Sequence, residues 1–244
     1  MVATSVILAI AGLVIYAAIR IGGQSIARMN QAKIRAVAIK NLEQIALAMN
    51  NYAADHGRYP PPVTTDDQGR PMHSWRVLLL PYLGEDELYN QYQQLLPWNA
   101  PENASMQWQM PDVYRHPLGG GVAAWSSVSN YYVITGPGTL FPPSGPSGPK
   151  DVYDSPSQTI LVVEAAPRIG TVSWTEPVDL AYVNLTGDLT EGGGDQIGGL
   201  SVGGATVATV DGRGHFLDET ILPSTVRALV TPDGGEPLAD DVLD

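Results

Sequence analysis

The sequence predicts an α+β fold in which one long N-terminal α-helix precedes an antiparallel β-sheet with long Gly/Pro-rich loops. Residues 1–19 contain no charged side chain. Apolar positions then recur at helical spacing as far as Tyr52. The C-terminal half contains short β-branched segments separated by glycine and proline, which is typical of strands joined by turns. The order of helix first and strands later favours α+β over an alternating α/β fold.

The first element is predicted to be a hydrophobic anchor segment, residues 1–22. Its core, "SVILAIAGLVIYAAI", has no polar face and is close to the roughly 20 apolar residues that a membrane span needs. A cleaved secretion signal and a buried core helix are the alternatives. No Lys or Arg precedes the apolar run, and this favours a retained span over a cleaved signal. The residues predicted to pack in the membrane or against other copies are Val6, Ile7, Leu8, Ile10, Leu13, Val14 and Ile15.

The orientation of this segment is a point of conflict. Five of the 13 basic residues lie between Arg20 and Lys40, just after the apolar run. The positive-inside rule would keep the residues after the apolar run in the cytoplasm. A function in the cell envelope instead requires the domain that follows the apolar run to lie outside the cytoplasm. A basic leader ahead of the apolar run would remove the conflict.

The second element is predicted to be an amphipathic stalk helix, residues 23–56. Apolar side chains recur there at intervals of three and four residues, and they are expected to pack on the sheet. Gly57 and the prolines at 60–62 are expected to end the helix. The packing residues are Ile34, Val37, Leu42, Ile45, Met49 and Tyr52.

The remainder is predicted to be one globular α+β domain, residues 57–235, with an acidic tail at 236–244. Residues 74–96 read as two short helices with Ser74 as an N-cap, and residues 224–230 as a last helix. Residues 97–127 show no sustained period. The strand candidates are 129–135, 159–164, 204–210 and 214–217, the last two joined by a hairpin turn at 211–213.

Charge and composition exclude several classes of function. All 25 acidic residues follow Lys40, so residues 41–244 carry a formal charge of −17. Such a surface repels phosphate backbones and argues against nucleic acid as a partner, whereas the basic stretch at 20–40 suits anionic lipid headgroups. The chain has no cysteine, which removes thiolate chemistry.

No constellation of catalytic residues stands out, so an enzyme is not expected. His56, His73, His116 and His215 lack metal-ligand spacing, and the glycine-dense segment 192–204 lacks the strand-then-helix setting of a nucleotide site. The candidate calcium ligands are Asp179, Asp188 and Asp195, together with Glu191. Their spacing is not that of an EF-hand, and solvated loop carboxylates are the alternative.

The five tryptophans admit two interpretations. Trp75, with Tyr82, is expected to hold the short helices on the sheet. Trp98, Trp108 and Trp125, in the irregular region, are candidates for a contact with a partner or a sugar, because aromatic side chains are enriched at interfaces.

Seven ordered blocks between residues 26 and 238 resemble a prepilin-like family of unknown function that is abundant in planctomycetes. They include "NLEQIALAMNNYAADHGRYPPP", "SWRVLLLPYLGEDELYNQYQQLLPW", "SNYYVITGPGTLF" and "GGATVATVDGRGHFLDE". The resemblance implies a type IV pilin-like fold, in which the second half of a long helix packs on an antiparallel sheet.

Two departures from this family pattern matter. Prepilins have a cleavage glycine and a glutamate near the start of the mature helix. No cleavage glycine is visible in this chain, and Ile7 or Ala3 stands where the glutamate is expected. Many relatives carry two cysteines where this chain has Ala38 and His116. If those cysteines form a disulfide, Ala38 and His116 are close in space, within about 7 Å between Cα atoms.

The resemblance therefore implies a structural subunit of a pilin-like or pseudopilin-like filament, assembled through its N-terminal helix. The expected partners are copies of itself, the membrane, and pilus or type II secretion machinery, with no cofactor. The expected location is the cell envelope, either at the inner membrane with an extracytoplasmic domain or in an extracellular filament. The alternative is a monomeric membrane-anchored protein of the same fold that binds or scaffolds another molecule.

Overall fold

The computed structural model describes residues 2–118, 127–166, 173–190, 195–239 and 242–243, and inside the first helix it leaves out the side chains of residues 2–22 and 24. Helix α1, Val2–His56, is 55 residues long and therefore about 80 Å in length. It ends at Gly57, whose positive φ of 77° lets its N–H donate to the Ala53 carbonyl. The predicted end of the helix at Gly57 is confirmed. Glycine is suited to this position because it adopts the left-handed conformation without steric cost.

The segment after α1 folds into short elements that cover one side of the helix. An irregular antiparallel hairpin opens it, and Ser74 caps the next helix by accepting from the Arg76 N–H. The elements are β1 (Val63–Thr65), β2 (Pro71–Ser74), α2 (Trp75–Leu78), α3 (Asp86–Gln91) and α4 (Pro101–Ala104). The 3-10 turns are Leu80–Leu83, Ser105–Gln109 and Asp112–Tyr114.

The main sheet contains, within the described residues, four strands in the order β3-β5-β7-β8, all antiparallel. They are β3 (Tyr131–Tyr132), β5 (Ile160–Glu164), β7 (Gly204–Thr209) and β8 (Gly214–Asp218). The β7–β8 hairpin has the predicted turn at 211–213, and Thr206 is paired with Phe216. At Gly204 a Cβ atom would lie 1.9 Å from the Leu217 carbonyl oxygen, so only glycine fits this close approach.

A second pair of strands, two 3-10 turns and a last helix make up the rest of the described domain. The predicted strand 129–135 is divided, because β4 (Ile134–Thr135) leaves β3 and pairs in parallel with β6 (Leu180–Ala181). This parallel pair has no counterpart in the sequence prediction, since two residues are too few to show a period. Short 3-10 turns, which the sequence did not predict, lie at Pro149–Asp151 and Tyr182–Asn184. The last helix is α5 (Pro223–Ala228), where the sequence predicts a helix over residues 224–230.

The core lies on both faces of the main sheet. One cluster joins α1 to the sheet and to the aromatic side chains Trp75, Tyr114 and Trp174. The other cluster joins the opposite face to α5 through Val226 and Leu229. Adjacent residues of β7 point to different clusters, Val207 to the second and Ala208 to the first, as the alternation of a strand requires. The α+β class with a long N-terminal helix and antiparallel sheets is confirmed.

The predicted packing face of the stalk is correct in its upper part and wrong at one position. Leu42, Ile45 and Met49 are fully buried, and Ile34 and Tyr52 are half-buried. Val37, however, is 42% exposed, and its neighbour Ala38 is buried in its place. Because successive helical residues turn by about 100°, Val37 lies on the outer side of the helix when Ala38, Leu42 and Ile45 face the sheet.

Candidate functional site

We call residues 25–33 of α1 the lower stalk, and the domain leaves this described part of the helix uncovered. Between residues 25 and 33 every residue is exposed, and continuous burial begins only near Ala38. Ile26 is 62% exposed and Met29 is 70% exposed. An isolated helix with exposed apolar side chains is marginal in water, since most helical stability comes from packing of one face. The exposed stalk is therefore a candidate interaction surface.

The predicted anchor residues Val6, Ile7, Leu8, Ile10, Leu13, Val14 and Ile15 lie outside the residues whose side chains are described. The backbone there belongs to α1. In the part of the chain that the structure describes, none of the helices combines the length and the apolar character of a membrane span.

The upper stalk is held by polar contacts as well as by apolar packing. Asn50 donates to the Val210 carbonyl at 3.0 Å and accepts from the Tyr59 hydroxyl. Asn41 donates to the carbonyl of Arg115 at 2.8 Å. This bond brings the helix, one turn after Ala38, against the residue before His116. The Cα distance between Ala38 and His116 stays a prediction.

A buried ion pair, Arg76–Asp179, lies between α2 and the main sheet. The two side chains are 2% and 3% exposed, and the closest nitrogen and oxygen are 3.2 Å apart. Arg76 also donates to the Tyr131 carbonyl and to Ser74 Oγ. Asp179 also accepts from the Trp75 indole and the Val133 N–H. Burial raises the pKa of Asp179, and the charge of Arg76 and these hydrogen bonds act in the opposite direction.

A second buried pair, His116–Glu164, lies at the end of β5. Both side chains are fully buried, and His116 Nε2 is 3.1 Å from Glu164 Oε2. His116 Nδ1 accepts from the Leu118 N–H, which assigns the ring proton to Nε2. His116 Nε2 has no hydrogen-bond partner of good geometry, so its contact with Glu164 is mainly electrostatic.

Glu164 receives better-aligned hydrogen bonds from β7 and the loop before it. The Ser201 N–H and hydroxyl donate at 3.1 and 3.0 Å, and the Thr206 hydroxyl donates to the same carboxylate. Burial alone would raise the pKa of Glu164. The contact with His116 and the bonds from Thr206 and Ser201 outweigh it and lower the pKa below its ordinary value.

The three described calcium candidates do not converge on one site. Asp179 belongs to the buried ion pair, Asp188 accepts from Thr190, and Asp195 accepts from Asn184. Among the residues that the structure describes, no three His, Asp or Glu side chains are grouped to hold a metal ion. Glu191, the fourth candidate, lies outside the described residues.

The histidines are separate side chains with partners inside the fold. His56 stacks on Tyr52, and His215 contacts the Leu243 carbonyl. His73 is buried between the Tyr92 hydroxyl and the Gln94 carbonyl, and burial lowers its pKa. His215 also contacts the Thr209 hydroxyl at 3.3 Å, so each of these three rings has a partner within the fold.

The described tryptophans differ in burial. Trp75 and Trp174 are buried, and Trp75 holds α2 on the sheet through Asp179. Trp108 is 56% exposed, and Trp125 lies outside the described residues. Trp98 lines a cleft of about 800 Å³ with Asp66, Arg70, Met72 and Asn99. A second groove, of about 590 Å³, is lined by residues that include six prolines of the segments 61–62 and 137–146.

Sequence reasoning missed Arg76 and Glu164 as buried groups. The signals were present: Arg76 interrupts the apolar run "WRVLLL", and Glu164 ends the apolar strand "ILVVE". A single charge inside an apolar run indicates a buried group that needs a partner. The partner itself is distant in sequence and comes only from the fold.

The fold and these sites together define an α+β domain carried by a long, partly uncovered helix. Residues 35–188 match the model of a family described as "Protein of unknown function (DUF1559)". This match covers more than half of the chain, and the protein therefore belongs to that family. Comparisons with curated proteins and with solved structures found no significant match.

Proposed function

We propose that the protein is a structural subunit of a type IV pilin-like or pseudopilin-like filament, whose copies assemble through α1. The observation that carries the proposal is the division of α1 into a packed upper half and an uncovered lower part. Among the α1 residues whose side chains are described, those from about Ala38 to Ala53 are buried by the domain, whereas residues 25–33 are exposed. Helices that expose apolar side chains become stable when other helices cover them.

The arrangement of the domain supports the same proposal. A helix whose second half packs on an antiparallel sheet is the architecture that the prepilin-like resemblance implies. The charge distribution fits as well, since an acidic domain at −17 keeps the outer surface of an assembly soluble. In this proposal the anchor segment holds each copy in the inner membrane before assembly, pilus or secretion machinery handles it, and the product lies in the envelope or outside the cell.

The alternative function is a monomeric envelope protein that binds or scaffolds another molecule. The specific observation in its favour is the cleft with Trp98, where an aromatic face adjoins polar side chains. The missing glutamate at the start of the helix favours the same alternative, because that residue assists assembly in prepilins.

The test compares protein sheared from the cell surface with protein extracted from membranes. A filament subunit is expected in the sheared fraction, in fibres visible by electron microscopy, with a processed and N-methylated N-terminus by mass spectrometry. Ile10→Arg is expected to abolish the fibres. The control Val183→Arg changes a side chain that is 84% exposed on the domain and should leave them intact. Protein found only in membranes, as monomers, would contradict the proposal.

A further inference from the structure

The outer face of α1 carries a stripe of exposed apolar side chains. Ile26, Met29, Val37 and Leu47 are 62%, 70%, 42% and 59% exposed. At about 100° per residue, these four positions fall within an arc of about 80° on the helix, and Lys33 and Lys40 fall between them. The sheet-facing residues Leu42, Ile45 and Met49 lie on the far side. We call this set, Ile26, Met29, Lys33, Val37, Lys40 and Leu47, the outer stripe.

A groove opens where the outer stripe meets the domain. Gln44 and Leu47 of α1 form one wall of this groove, which has a volume of about 340 Å³. The opposite walls combine apolar side chains with two carboxylates. They are formed by Tyr82, Leu83, Glu85, Pro111, Asp112 and Val113, and we call the whole the acidic groove.

The carboxylates of the acidic groove are available for a second positive charge. The Asp112 side chain is fully exposed, and its contact with Arg115 is a loose one at 3.5 Å. Glu85 is half-buried, and its backbone carbonyl receives the Tyr89 N–H. The groove thus presents an apolar wall with negative charges at its rim.

We propose that the acidic groove receives the lower part of the outer stripe, Ile26, Met29 and Lys33, from a second copy of the chain. The two surfaces are complementary. On the stripe a positive charge lies beside apolar side chains, and in the groove negative charges lie beside apolar side chains. The inference rests on the proposed function and names the contact between neighbouring subunits.

Charge also excludes the simplest alternative, two stalks side by side in register. That pairing would place Lys33 against Lys33 and Lys40 against Lys40, and like charges in contact are destabilising. Docking of Met29 near Leu47 of the next copy shifts the two helices by 18 residues, about 27 Å along the axis. Such a contact uses different surfaces on the two copies, so it repeats from copy to copy and builds a fibre.

Cross-linking between differently tagged full-length copies tests the contact. The chain has no cysteine, so introduced thiols are the only ones present. Met29→Cys in one copy and Leu47→Cys in the other are expected to form a disulfide-linked mixed dimer in membranes. The control pairs Met29→Cys with Val183→Cys, a position 84% exposed outside the groove, and is expected to give about tenfold less product.

The outcomes separate this inference from the proposed function. A Met29→Cys variant that links to itself in preference to Leu47→Cys would show an in-register pair and overturn the groove contact. Oligomers that persist without the mixed cross-link would also overturn the contact, but they would leave filament assembly standing. Absence of any oligomer would contradict the proposed function itself.

A charge exchange gives an independent readout. Lys33→Glu in the Met29→Cys copy is expected to lower the yield of mixed dimer about three- to fivefold, with the larger effect at low salt. Asp112→Lys in the Leu47→Cys copy should restore the yield when it is combined with Lys33→Glu. The control Lys150→Glu changes an exposed charge outside both surfaces and is expected to have no effect. A yield of mixed dimer that is unchanged by Lys33→Glu would argue against docking of Lys33 at the carboxylates of Glu85 and Asp112.

Discussion

The two buried pairs, Arg76–Asp179 and His116–Glu164, stabilise the same sheet by different means. Asp179 faces a guanidinium that keeps its charge at every accessible pH, and the pair is surrounded by aromatic rings at 4.4 and 5.1 Å from the guanidinium carbon. Glu164 faces an imidazole ring and hydroxyl donors instead. One carboxylate is thus held mainly by charge and the other mainly by hydrogen bonds, so they should respond differently to substitution and to pH.

The largest expected effect is that of Asp179→Ala. It leaves the Arg76 charge buried without a counter-charge, which costs about 3–5 kcal/mol of unfolding free energy. Urea denaturation followed by tryptophan fluorescence measures it. Asp112→Ala removes a fully exposed carboxylate and serves as the control, with an expected loss below about 0.5 kcal/mol. Equal losses for the two variants would show that Arg76 does not depend on Asp179.

The double variant Arg76→Met with Asp179→Leu is expected to lose less than Asp179→Ala, about 2 kcal/mol. Removing both charges abolishes the desolvation cost of the charged groups. The remaining loss comes from the Trp75 indole and the Val133 N–H, which then lack an acceptor, and from the Tyr131 carbonyl, which loses its Arg76 donors. The coupling energy follows from the double-mutant cycle with the two single variants. Additive losses would contradict direct pairing.

For the second pair, Glu164→Gln is expected to cost about 1.5 kcal/mol, because a neutral amide accepts hydrogen bonds less strongly than a carboxylate. The hydroxyls of Ser201 and Thr206 can reorient, and this keeps the loss below that of Asp179→Ala. The same urea titration measures it. A loss as large as that of Asp179→Ala would contradict the view that hydrogen bonds from hydroxyl donors are the main stabilisation of Glu164.

The smallest expected effect is a pH dependence that belongs to Glu164. Its folded-state pKa lies below the ordinary value of 4.5, so its contribution to stability is complete above that value and is lost as the pH falls through the folded-state pKa. The urea midpoint should therefore fall more steeply below pH 4.5 in the natural protein than in Glu164→Gln. Parallel curves would contradict the lowered pKa. Exposed carboxylates such as Asp66 titrate in both proteins and cancel in the difference.

The elements that the sequence predicted are those with a local signal. The long helix, its stop at Gly57, the Ser74 cap and the β7–β8 hairpin each depend on residues a few positions apart, and all are present. The division of residues 129–135 between two sheets depends on Leu180, about 45 residues away, and no pattern in the neighbouring sequence indicates it.

The candidate site was predictable in outline only. Periodicity located the packed face of the stalk but placed Val37 on it, because six apolar positions at irregular helical spacing do not show where the buried face ends. Asp179 was recognised as chemically significant for the wrong reason. A carboxylate in a loop can equally be a metal ligand or the partner of a buried arginine, and only Arg76, 103 residues earlier, distinguishes the two.

The continuity of α1 has a mechanical consequence. Tension applied to the lower stalk is carried by an unbroken helix directly to Leu42, Ile45 and Met49 in the core. An axial pull must slide all three side chains past the sheet together, and it must also break the bonds from Asn41 and Asn50. Because these contacts must break at the same time, the domain resists extraction of the helix more strongly than any single contact would.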